Sequence, residues 1–247
     1  MVAPLDDPVA EGRRIAEEAG HRRSPVRLTG GVAIALRCPS AGTPELQRVY
    51  ADIDVVVRRR DSGSVGAFFR ELGYEPDREF NALHGARRQL FWTSDRSRQI
   101  DVFVDRFEMC HRLDLQDRLD IHPETLSLAD LLLTKLQVVE TNEKDLVDMA
   151  TLLSDHALTG DESGVNIEYI SRIASSDWGW WRTITMVAER AAIFAEELNL
   201  HVGEHDVPSQ VRKLVSALSE TPKSSRWKMR ARVGDRKMWY ELPEEAG

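Results

Sequence analysis

The chain has 247 residues and a formal net charge of -8 at pH 7, a balance that argues against a surface coating nucleic acid or anionic membrane as a whole and leaves room for a local basic patch only. No uninterrupted apolar run approaches the roughly 20 residues of a transmembrane helix, and the opening MVAPLDDPVAEGRR lacks the apolar core of a signal peptide, so a cytoplasmic protein with no membrane partner is expected. Cys38 and Cys110 have no CxxC pair or zinc-spaced His beside them, which argues against a disulfide scaffold or a structural zinc.

In chain order, residues 9–20 read as a short amphipathic helix and 25–29 as an extended segment, broken at Gly30-Gly31 before a helix over 32–37. Residues 38–46 carry Pro39, Ser40, Gly42, Thr43 and Pro44, which is turn chemistry. The β-branched run 51–57 predicts a strand, and 64–72 a helix that stops at Gly73. Residues 88–92 and 98–104, joined by a polar turn, predict a β-hairpin. Helices are expected over 128–139, with Ser127 as N-cap, and over 143–153, 168–174 and 178–200. Trp178, Trp180 and Trp181 are read as packing among these accessory helices. The glycine- and serine-bearing stretch 158–165 marks a domain boundary. The basic tail, 226–233 and 236–242 with a turn at Gly234-Asp235, reads as a β-hairpin whose cations and tryptophans either protect a sheet edge or grip nucleic acid.

A set of carboxylates and a glycine pair in this pattern carry chemistry. Side chains alternate along a strand, so Asp52 and Asp54 share one face, about 7 Å apart, while Ile53, Val55 and Val57 share the other. Asp101 likewise stands opposite Ile100 and Val102 in its strand. Carboxylates gathered on one face repel one another, and a divalent cation is the common remedy because hard oxygens suit Mg²⁺. Upstream, Leu28-Thr29-Gly30-Gly31 lies between a strand and a helix, where glycines let the backbone approach a triphosphate at a helix N-terminus. The competing readings are a solvated strand end and an ordinary tight turn.

Taken together, Leu28-Thr29-Gly30-Gly31, Asp52-Ile53-Asp54 and Asp101 resemble the motif of the DNA polymerase β-type nucleotidyltransferase superfamily. Lys135-Leu136 and Lys144-Asp145-Leu146-Val147-Asp148 are similar to the helical motif of its AbiEii-type toxin branch and of minimal and aminoglycoside-type transferases. The resemblance spans residues 26–153. The spacer between Gly31 and Asp52 is longer than usual in that family, and no serine follows Gly30. The resemblance implies an α/β (α+β) fold with a small mixed-sheet nucleotidyltransferase domain over 1–157; the tail matches no family, and its residues read as a helical region with a basic C-terminal hairpin over 158–247. The resemblance implies metal binding (Mg²⁺ or Mn²⁺) by Asp52, Asp54 and Asp101, phosphate contact by Gly30, Gly31 and Lys135, and a role for Asp145. The implied reaction moves a nucleoside monophosphate from an NTP such as ATP to a hydroxyl or phosphate of tRNA, another nucleic acid or a small aminoglycoside-like molecule, with a cognate antitoxin as a further partner. The alternative is a non-catalytic, nucleotide-sensing or partner-regulated protein that keeps the fold. For Lys144 and Asp148 a surface ion pair at i,i+4 spacing competes with any role at the site.

Overall fold

The structure, a computed structural model, describes residues 3–22 and 24–242. The chain divides into two compact units. The first gathers the residues up to Arg37 with Val49–Phe107 and Leu113–Ser127; the second gathers Cys38–Arg48, Glu108–Arg112 and the chain from Leu128 onward.

In the first unit, helix α1 (Pro8–His21) starts where the Asp7 carboxylate accepts from the Ala10 N–H at 2.6 Å, with a proline in its first turn. Strand β1 (Arg27–Thr29) runs directly into α2 (Gly30–Arg37). The β-branched run forms β2 (Asp52–Val57) and buries Ile53, Val55, Val56 and Val57. Helix α3 (Ser62–Glu71) buries Phe68 and Phe69 and ends ahead of Gly73, whose φ of 94° a glycine adopts without strain. Then come β3 (Glu75–Pro76), α4 (Arg78–His84), β4 (Arg88–Trp92) and β5 (Gln99–Val104). These strands form one mixed sheet in the order β1-β2-β5-β4-β3; β2 and β5 are parallel, and the other neighbours are antiparallel. The 88–104 hairpin is present as expected. Helix α4 and strand β3 were not expected: α4 has no buried residue, so no apolar period announces it.

Two further strands, β6 (Arg106–Glu108) and β7 (Arg112–Asp114), form a separate two-stranded sheet. The rest is helical: α5 (Leu128–Leu136) and α6 (Glu143–Asp155), then a short parallel clip of β8 (Leu158–Thr159) and β9 (Val165–Asn166), then α7 (Ile167–Ser176), α8 (Trp178–Glu197), α9 (Val207–Glu220) and α10 (Ser225–Val233). Asp177 starts α8 by accepting from the Gly179 and Trp180 N–H groups at 2.7 and 3.2 Å. In this division α5 and α6, expected within 1–157, group with the helices that follow. Among the described residues no helix is long and apolar enough to cross a membrane.

The expected C-terminal β-hairpin is corrected: 225–233 is a helix. Its alternating basic and apolar residues imitate the period of a strand. Yet Ser224 caps it, with its hydroxyl accepting from the Trp227 N–H at 3.1 Å, and Lys, Arg, Met and Ala are all strong helix formers. Gly234, expected to turn a hairpin, instead ends the helix at a φ of 57°.

Candidate active site

The first unit brings together Gly30, Asp52, Asp54 and Asp101. In the parallel β2/β5 pair, Asp54 lies in register with Asp101 and Asp52 with Gln99; across the antiparallel β1/β2 pair, Asp54 lies opposite Thr29. One row thus crosses the sheet through Thr29, Asp54 and Asp101, and residues in register on neighbouring strands share a face, about 4.8 Å apart. Burial is graded along the acidic set. Asp52 is exposed, Asp54 half-buried, and Asp101 buried at 3% exposure.

Backbone conformation ties the glycine motif to this row. Gly30 has a φ of 65° and opens α2, and a β-carbon added to it would lie 2.1 Å from Asp54 Oδ2. The Asp54 carboxylate therefore occupies the space that any other residue at position 30 would fill. Thr29 Oγ1, next to Gly30, is buried and makes no hydrogen bond among the described residues.

Sequence reasoning missed Arg88, the counter-charge of this site. Its Nε donates to Asp101 Oδ1 at 2.6 Å and its Nη2 to Asp101 Oδ2, a two-point pairing that Gln99 supplements with a 3.4 Å contact. The guanidinium lies over the rings of Phe80 and Phe103, 5.8 and 5.5 Å from their centroids. The hydrogen bond to Asp101 raises the Arg88 pKa against the opposing effect of burial, and the charges of Asp101, Asp54 and Asp52 raise it further. Burial pushes the Asp101 carboxyl upward; Arg88 pulls it back, and the Asp52 charge adds to the rise. The hairpin register carried a signal: Arg88 falls on the same face of β4 as Leu90, the partner of Asp101.

The second unit brings together Lys135, Asp145 and Asp148. Lys135 Nζ donates to Asp145 Oδ1 at 3.0 Å and lies 2.9 Å from Asp148 Oδ2. Asp148 is also held at two points by Arg48, Nε to Oδ1 at 2.7 Å and Nη2 to Oδ2 at 2.8 Å. Lys135 lies in the last turn of α5; Asp145 lies in the first turn of α6, where its N–H donates to the capping Asn142 side chain at 3.1 Å. The pairing of Lys144 with Asp148 does not form: Lys144 is exposed, and Asp148 is buried between Arg48 and Lys135. Burial alone would lower the Lys135 pKa, but Asp148 and Asp145 override it and push it up from 10.5 to about 12.

Among the described residues, no three His, Cys, Asp or Glu side chains stand close enough to hold a metal ion by themselves. The donor set of the first unit nonetheless fits Mg²⁺ as that ion is commonly bound, by one or two carboxylates with the remaining oxygens from substrate phosphates and water. Asp52 and Asp54 would be those carboxylates, beside the Thr29 hydroxyl, which has no hydrogen-bond partner among the described residues. No protein-family profile, curated protein or solved structure matches the chain.

Two stability predictions follow from these contacts. Gly30→Ala should cost at least about 2 kcal/mol in denaturant unfolding, because a left-handed φ and a clash with Asp54 act together; Gly42→Ala, with nothing within 4 Å of the added carbon, should change stability by less than about 0.5 kcal/mol. Lys135→Met should cost about 3 kcal/mol at neutral pH, since it leaves buried carboxylates short of a partner. Because the Lys135 pKa is raised on folding, its contribution is full below pH 10.5 and is lost as pH rises through about 12. Alkaline unfolding curves should show that loss in wild type and lack it in the variant.

Proposed function

We propose that the chain is a metal-dependent nucleotidyltransferase. The observation that carries this reading is the register of Asp54 with Asp101 on adjacent parallel strands, with the Asp54 carboxylate against Gly30 at the start of a helix. In the reaction, an acceptor oxygen attacks the α-phosphorus of an NTP, the bond from that phosphorus to the bridging oxygen breaks, and pyrophosphate departs as the acceptor loses its proton. When bound, Mg²⁺ or Mn²⁺ would lower the pKa of the acceptor oxygen and offset charge on the phosphates. Asp52 and Asp54 supply oxygens for that ion. The first turn of α2 has N–H groups without intrahelical acceptors that suit the phosphate chain, beside the Asp54 carboxylate, which fills the space that Gly30 leaves. Arg88 keeps Asp101 oriented beside Asp54, and its positive charge faces all three carboxylates. The acceptor is a hydroxyl or phosphate of a nucleic acid such as tRNA, or of a small aminoglycoside-like molecule, and a cognate antitoxin is the regulator this reading suggests.

One observation favours a second reading. Asp101 already has a two-point partner in Arg88, so a protein that binds nucleotide without turnover, its third carboxylate neutralised from within, fits the same geometry.

Incubation with each α-labelled NTP, Mg²⁺ or Mn²⁺, and either total tRNA or an aminoglycoside panel separates the two readings. Transfer of label to one acceptor class is expected, falling at least about 100-fold in Asp54→Asn. Nucleotide binding with no label in any acceptor pool would favour the sensing protein.

A further inference from the structure

Helix α10 departs from the rest of this acidic chain. From Thr221 to Gly234 there is no Asp or Glu, and none of the residues of α10 is buried. Its inward side is used up by packing. Trp227 meets Trp181 edge-on at 5.3 Å, and Arg230 lies 4.6 Å over the Trp178 ring while donating to the carbonyls of Gly234 and Lys237 at 2.8 and 2.5 Å. The outward side is cationic. Lys228 and Arg232 are one turn apart on one flank, Arg226 stands on the other, and Met229 and Val233 lie between them. Arg226, Lys228, Arg232, Arg236 and Lys237 are all exposed.

The tryptophans of the C-terminal segment are engaged within the protein. Trp239 packs on Trp178 with ring centroids 5.8 Å apart, and its indole N–H donates to Thr183 Oγ1 at 3.0 Å. What remains is a set of spaced cations with no aromatic platform, which complements a regular line of phosphates and carries no means of reading bases. Met229 and Val233 form too narrow an apolar strip for a helix that lies in a membrane interface, where a broad apolar face has to be buried.

We propose that the outward face of α10, extended by Arg236 and Lys237, is a docking surface for nucleic acid, gripped through its phosphate backbone without regard to base sequence. The proposal stands on the charge and exposure of α10 and is independent of the transferase reading.

The test is fluorescence anisotropy of the full chain with labelled oligo(U) and oligo(dT), from about 0.05 to 0.3 M salt. Binding of both, within a few-fold of each other, should weaken steeply with salt. The Arg226→Gln/Lys228→Gln/Arg232→Gln variant keeps good helix formers in α10. It should bind about 100-fold more weakly at 0.1 M salt, and the slope of log K against log salt should become shallower by about 2. Circular dichroism and melting should show the variant folded. Asp54→Asn should bind as wild type does, which keeps this outcome separate from the fate of the transferase reading. An unchanged affinity in the triple variant would overturn the proposal, as would loss of binding in Asp54→Asn. So would absence of oligonucleotide binding at low salt, including the case in which the protein sediments with phosphatidylserine vesicles and ignores the oligonucleotides.

Discussion

Like charges brought together on one face of a β-sheet repel one another, and the first unit is organised around offsetting that repulsion. Asp52, Asp54 and Asp101 gather because β2 and β5 run parallel and in register. Two features make the gathering tolerable within the chain itself. Arg88 neutralises the most buried carboxylate, and the missing side chain of Gly30 gives the Asp54 carboxylate room at the positive end of a helix. Burial declines from Asp101 to Asp52, so the most exposed carboxylate is the one left to the screening of water.

The second unit solves the same problem by a different means. Asp148 and Asp145 are compensated by the side chains of Arg48 and Lys135, in a buried network whose loss of one member would strand the others. Such networks cost desolvation and return it only when every partner is present. That interdependence accounts for the strong upward push on Lys135, a group that burial alone would discharge. The tryptophans of α8 and of the C-terminal segment serve as packing for the helices, which leaves the cations of α10 as the part of that region facing outward.

Much of the sheet and part of the site were legible in the sequence. The β-branched run of β2 and the apolar run of β5 announce both strands, and side chains that alternate along a strand fix the face each Asp occupies. The register between β2 and β5 is not local information; it depends on which strands pair, and the α3–β4 excursion between them hides it. Arg88 could be inferred only from hairpin register, and Arg48, within a turn-rich stretch, carries no local signal. Helix α4 buries nothing and so leaves no pattern. By contrast, Val207, Val211, Leu214 and Leu218 recur at helical spacing after Asp206, and α9 was within reach of the sequence. At α10 two periods competed, and the serine cap with strong helix formers prevailed over an apparent strand alternation.

The proposed transferase requires Asp52 and Asp54 together to accept a divalent cation alongside nucleotide phosphates. Titration of Mn²⁺ into the protein with a non-hydrolysable NTP analogue, followed by electron paramagnetic resonance, measures this directly. Loss of the aqueous Mn²⁺ signal in wild type, absent from a folded Asp52→Asn/Asp54→Asn variant, is the predicted result. Equal Mn²⁺ uptake by both proteins, or no uptake by either in the presence of the analogue, would contradict it.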